Sequence, residues 1–99
     1  MNIKPQKNGA KLVVKVEGRV DTVTSPALTE FFQKELSGIT ELELDLEKVD
    51  YVSSAGLRAI LFAQKTMDKQ GKMIVRKANK SVMEIFEITG FANVLDFED

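Results

Sequence analysis

Two adjacent hydroxyls are the first groups in this chain that could carry chemistry. Ser53 and Ser54 stand in "DYVSSAGLRAIL", residues 50–61, where a strand-like segment ends and a helix-like one begins. A serine becomes a nucleophile when a base takes its proton, and the usual base is missing, because the 99 residues include no histidine. There is no cysteine either, which removes thiol catalysis, disulfides and thiolate metal sites. Carboxylates are plentiful, but no inward-facing pair and no metal-ligand spacing appears among them. The expectation is a protein with no catalytic residue, metal or cofactor of its own, whose hydroxyls cap, bind or are modified.

A helix start favours an anion. Its first N–H groups lack intrahelical partners and together carry roughly half a positive charge. A phosphoserine brings about −1.5 to −2 charge and three acceptor oxygens to such a place. The structural alternative is a cap, in which the Ser53 oxygen takes the N–H of Ala55 or Gly56. Ser54, at the first helical position, has no such duty. Gly56 in the first turn costs about 1 kcal/mol against alanine in helix propensity, which suggests a close approach by backbone or partner. On residues alone, the functional and structural readings of this loop remain equally open.

A second loop, "GRVDTVTSP" at residues 18–26, also leaves a strand and enters a helix, so it can lie beside the first. Asp21, Thr22, Thr24 and Ser25 are good turn and cap formers, and capping explains most of them. The charge of Asp21 is the exception, since a carboxylate near a new phosphate would repel it.

The elements that must position these loops follow from periodicity. Asn8-Gly9 suits a type I′ hairpin turn between two antiparallel strands. After it, Leu12, Val14 and Val16 alternate with Lys11, Val13, Lys15 and Glu17. Ser25 before Pro26 reads as a helix cap with a first-turn proline. Leu28, Phe31, Phe32 and Leu36 follow at helical spacing, and Gly38 is a stop. In "TELELDLEKVDYV", residues 40–52, Leu42, Leu44 and Leu46 alternate with Glu41, Glu43, Asp45 and Glu47. Such alternation means one buried and one wet face, hence two layers with helices on one side of a sheet. Residues 54–71 read as a long helix ended by Gly71, with Leu57, Ile60, Leu61 and Met67 on its stripe, flanked by Ala59, Phe62, Ala63 and Thr66. Residues 72–78 form a short strand and 80–91 a last helix, buried through Val82, Ile85, Phe86 and Thr89. A tail follows that would pack Val94, Leu95 and Phe97. The order is β-β-α-β-α-β-α, with strands 40–47 and 72–77 parallel through a right-handed crossover. Glu43 and Asp45 can then meet Lys72 and Arg76 across a solvated sheet face.

Composition sets the class. Apolar residues make up 43% and charged residues 29%, and 14 basic against 15 acidic residues give a net charge of −1. This is a single domain over residues 1–99, with no basic excess for nucleic acid or an anionic membrane. No apolar run reaches the roughly 20 residues of a membrane helix, so a soluble, cytoplasmic protein without membrane insertion is expected.

Three stretches, "EGRVDTVTSPAL", "LELDLEKVDYVSSAGLRAIL" and "FEITGFANVLDFED", resemble in order the STAS domain of bacterial anti-sigma factor antagonists. The resemblance implies a STAS-like α/β fold, a mixed four- to five-stranded sheet with helices on one face. It implies a non-enzymatic switch that, when unphosphorylated, binds a serine-kinase anti-sigma factor and is reset by a PP2C-type phosphatase; ATP belongs to the kinase. A common family turn is Asp-Ser-(Ser/Thr)-Gly-Leu. Anchored on Gly56-Leu57, it sets Ser53 at the aspartate position, Ser54 at the first central position and Ala55 at the second. Ser54 is thus the matched phosphoacceptor, with Ser53 the alternative. The resemblance implies that Asp21, Thr22, Ser53, Ser54, Gly56, Leu57 and Arg58 would form or border the docking surface. Ala55 cannot accept phosphate, and Ser53 does not supply the family's acidic group. Two rival functions remain: a phosphorylation-independent STAS scaffold of a transport or signalling complex, and a module for a small anion or nucleotide.

Overall fold

A computed structural model describes residues 1–98. Five strands and three helices alternate along the chain: β1 (Asn2–Asn8), β2 (Lys11–Val20), α1 (Ser25–Glu35), β3 (Glu41–Val52), α2 (Ser54–Asp68), β4 (Lys72–Arg76), α3 (Lys80–Thr89), a 3-10 turn at Phe91–Asn93 and β5 (Phe97–Glu98). They build one sheet in the order β1-β2-β3-β4-β5, with β1 antiparallel to β2 and every other pair parallel. Strands laid down in sequence with crossovers of one hand leave all the helices on one face. That face carries Leu12, Val14 and Val16 of β2, Leu42, Leu44 and Leu46 of β3, and Met73 and Val75 of β4, all buried.

The hairpin turn sits one residue later than its Asn-Gly signal. Asn8 still pairs with Lys11, so Gly9 and Ala10 form the loop. Gly9 has φ 62°, whereas no positive φ occurs at Ala10. A type I′ turn needs positive φ at both central residues; positive φ at the first alone is the II′ pattern. Strand pairing, which continues through Asn8, overrides the local dipeptide preference.

The open face is drier at one point than alternation implies. Asp45 is buried, and its Oδ1 accepts the N–H of Glu47 at 3.0 Å. The pairing of β2 with β3 shifts there: Lys15 to Glu17 is two steps on β2, and their partners Asp45 to Lys48 are three on β3. A second shift occurs where Gly18 to Arg19 faces Val49 to Tyr51. These bulges change the inward set of β3 from every second residue to Leu46, Val49 and Val52. The expected cross-strand charges are realised as a Glu43–Arg76 pair at 3.2 Å.

Other boundaries also move. Helix α1 begins at Ser25 itself, with Thr24 as its N-cap residue and no side-chain cap bond. Along α2, Leu57, Ile60 and Met67 are buried as expected, while Leu61 is only half-buried and Gln64 is buried instead. The tail adds a fifth strand. Leu95 is buried, and Phe97 sets its ring 5.6 Å from that of Phe86. Val94, expected to pack, is half-exposed, because the 3-10 turn points it outward.

Candidate functional site

The site is assembled where β2 and β3 end together. Val20 and Val52 are the last paired residues of the two parallel strands, so the loops that follow leave the sheet side by side. The Ser53 N–H donates to the Val20 carbonyl at 2.9 Å, which ties the start of α2 to the end of β2. Gly56 makes the closeness explicit. A Cβ at that position would lie 2.4 Å from the Val20 oxygen and 3.0 Å from Val52 Cγ1. Only glycine lets the first turn of α2 sit against the neighbouring loop.

The two serines then take different roles. Ser53 is the N-cap, extended at φ −86° and ψ 176°, and its Oγ accepts the N–H of Gly56 at 3.2 Å. Its carbonyl accepts the N–H of Leu57 at 2.8 Å, closing the first helical turn. Ser54 is the first helical residue and is exposed, and its hydroxyl makes no hydrogen bond among the described residues. An accessible, uncommitted hydroxyl beside unpaired helix N–H groups is suited to accept a charged substituent.

The residues expected around it divide by depth. Thr22 and Arg58 are exposed and line one groove of about 730 Å³ between α1 and α2, together with Ser25 and Ala55. Gly56 and Leu57, expected to form or border a docking surface, are buried, Leu57 being 5% exposed. Both lie on the inward stripe of α2, which packs on the sheet.

Asp21 is the residue that closes its turn. Its carboxylate is occupied within its own loop: Oδ1 accepts the N–H groups of Val23 and Thr24, each at 3.0 Å, and the Thr24 hydroxyl at 3.2 Å. The Arg19 guanidinium stands 3.6 Å from Oδ2. Together these donors, the Thr24 N–H foremost, hold the Asp21 pKa below its ordinary value, against a smaller opposing effect of burial. Thr24 Oγ1 donates to the Arg19 carbonyl at 2.7 Å and accepts the Asp21 N–H at 2.9 Å. Ser25, expected to cap α1, instead turns its hydroxyl back to the Asp21 carbonyl. Asp21 has already capped the turn from four residues upstream, which displaces Ser25 from that task. Arg19 lies over the Tyr51 ring at 4.6 Å on the adjacent strand.

Among the described residues, no group of three or more His, Cys, Asp or Glu side chains is arranged to hold a metal ion, and no helix is long and apolar enough to cross a membrane.

With this geometry in view, the family model described as "Mlab, STAS domain" matches residues 3–96. The chain belongs to the STAS domain family. Its STAS domain is 31% identical to the protein BtrV of Bordetella bronchiseptica over 96 residues, covering 95% of this chain and 83% of that one. It is 28% identical to the anti-sigma-B factor antagonist of Listeria monocytogenes, covering 85% and 75%. Among solved structures, the anti-sigma factor antagonist SpoIIAA of Bacillus superposes at TM-score 0.77 in its unphosphorylated form, at 12% identity, covering 99% and 88% of the two chains. Its phosphorylated form gives 0.76 at the same identity, covering 99% and 92%. At that identity the likeness concerns the fold, which is the mixed two-layer STAS sheet expected from the sequence.

The sequence reading missed the Arg19–Tyr51 stack and Val23, which is 87% exposed at the tip of the Asp21 loop. A valine inside the polar run D-T-V-T-S was the available signal for the second. The stack had no local signal, since it depends on the bulged register.

Proposed function

We propose that the protein is a cytoplasmic anti-sigma factor antagonist, a binding module rather than an enzyme, switched by phosphate at Ser54. In its unphosphorylated state it sequesters a serine-kinase anti-sigma factor through the Thr22–Arg58 side of the domain. The observation that carries this reading is the contrast at the helix start: the Ser53 hydroxyl is committed to the Gly56 N–H, while that of Ser54 is exposed and free. Relatives that bear the antagonist name, and a fold neighbour solved with and without phosphate, support it.

The switch follows from electrostatics. The kinase moves the γ-phosphoryl group of ATP to Ser54 Oγ, releasing ADP and the hydroxyl proton. The α2 N-terminus stabilises the resulting charge inside this protein. A partner covering the same surface must instead desolvate a group of about −1.5 to −2 charge, which breaks the contact unless that partner supplies cations. A PP2C-type phosphatase hydrolyses the ester and restores binding.

Incubating the protein with the serine-kinase anti-sigma factor of the same genome and ATP, then measuring mass, tests the reading. One phosphate is expected, mapped to Ser54 and absent from Ser54→Ala. Phosphate retained in that variant would overturn the assignment, and mapping to Ser53 would move it by one residue. A wild-type protein left unmodified would leave the scaffold reading standing in its place.

A further inference from the structure

Val23 is the most exposed large apolar side chain in the described residues, at 87%, yet it is not on a loose tip. Its own N–H is held by Asp21 Oδ1, and the next N–H goes to the same oxygen. The Thr24 hydroxyl bonds Arg19 on one side, and the Ser25 hydroxyl bonds Asp21 on the other. The outward product of this network is an isopropyl group held in water. A solitary surface valine needs no explanation, but one fixed by a closed hydrogen-bonded turn has already given up the freedom that binding would otherwise remove.

Its surroundings indicate what it meets. Thr22, one residue away, lines the same groove as Ala55 and Arg58, one residue and four residues beyond the acceptor Ser54 respectively. Arg19 is already satisfied by Asp21 and the Tyr51 ring, and Glu30 with Lys34 form a pair at 2.8 Å on the far wall. Arg58 is an exposed cation with no ion pair among the described residues. We propose that Val23 is the apolar anchor of the docking surface and Asp21 its positioning residue, and that the anti-sigma partner offers a small apolar pocket bordered by a carboxylate for Arg58. This rests on the functional reading above. It reassigns the loop's contribution from the charge of Asp21 to the methyl groups that this charge holds in place.

Titration calorimetry of the unphosphorylated protein against the purified serine-kinase anti-sigma factor of the same genome tests it. Val23→Ala is expected to weaken binding about tenfold and Val23→Asp about a hundredfold, as for a central apolar anchor. Their melting curves should match wild type, because the side chain is already in water. Asp21→Asn keeps an acceptor oxygen for the two N–H groups and should bind within a few-fold of wild type, whereas Asp21→Ala should fall with the Val23 variants. Arg58→Glu, which faces the partner carboxylate with a like charge, should also weaken binding. Both Val23 variants binding within twofold of wild type would overturn this inference alone, as would Asp21→Asn failing as badly as Asp21→Ala. Wild-type protein that does not bind would overturn the functional reading and this inference with it.

Discussion

Replacing Gly56 by alanine should destabilise the fold, although alanine is the better helix former. A Cβ at residue 56 would lie 2.4 Å from the Val20 carbonyl oxygen, and 3.0 Å is the closest that real Cβ atoms come. Backbone must therefore separate by at least 0.6 Å, the difference of those two distances. Val20 Cγ1 at 2.9 Å and Val52 Cγ1 at 3.0 Å block a sideways escape. The Ser53–Val20 hydrogen bond at 2.9 Å spans the same gap and lengthens with it. Overpacking of this kind costs about 1–3 kcal/mol and a weakened hydrogen bond about 0.5–1.5, against a gain of about 1 in helix propensity. The net loss is about 0.5–3.5 kcal/mol, which lowers Tm by about 4–8 °C per kcal/mol in a domain of this size. Thermal and urea melts followed by circular dichroism measure it. A Gly56→Ala protein as stable as wild type, or more so, would refute the argument that α2 is seated against the end of β2.

The other expected outcomes are smaller or more local. Ser53→Ala removes the oxygen that holds the Gly56 N–H and should cost about 1 kcal/mol in a urea melt, while Ser54→Ala should stay within about 0.5 of wild type. Asp21 has a depressed pKa in the folded state, so its stabilising effect is full above its ordinary 3.8 and is lost as pH falls through the folded value. Melts at a series of pH values should therefore show the advantage of wild type over Asp21→Asn shrinking below that point, and an unchanged difference would contradict the hydrogen-bonded role. Phe97→Ala removes the ring against Phe86 and should loosen β5. Amide exchange at Val75, whose N–H donates to the Asp96 carbonyl at 2.8 Å, should then accelerate more than at Leu44.

What could be read from the sequence was what local periodicity controls. The Leu42–Leu46 alternation set the two-layer sheet, and the Leu57–Met67 stripe set the long helix above it. Ser53 as a cap followed from residue type and place, and the close approach at Gly56 from a glycine where helix propensity disfavours one. The features that escaped depend on contacts distant in sequence or on competition between neighbours. The hairpin turn moved to Gly9-Ala10 because pairing of the whole strand outweighed one dipeptide. Asp21, Thr24 and Ser25 all suit a turn by residue type, and nothing local ranks Asp21 above the other two as the group that closes it. The bulges in β3 have no composition signature, so neither the burial of Asp45 nor the Arg19–Tyr51 contact was visible in advance.

The bulges also act as a ruler. Between Leu46 and Val52, β3 carries two residues more than a strict ladder with β2 would need, one at each shift. An even surplus returns Val52 to the inner side, and with it the phase in which the chain enters α2. Removing one residue from Glu47–Tyr51 would leave an odd surplus, turning Val52 toward solvent and carrying the Ser53 N–H away from the Val20 carbonyl. The whole serine turn would be misphased, though each of its side chains was still present. Chain length in this stretch is thus a variable separate from residue identity: a transplanted turn will work only in a host that supplies the same count.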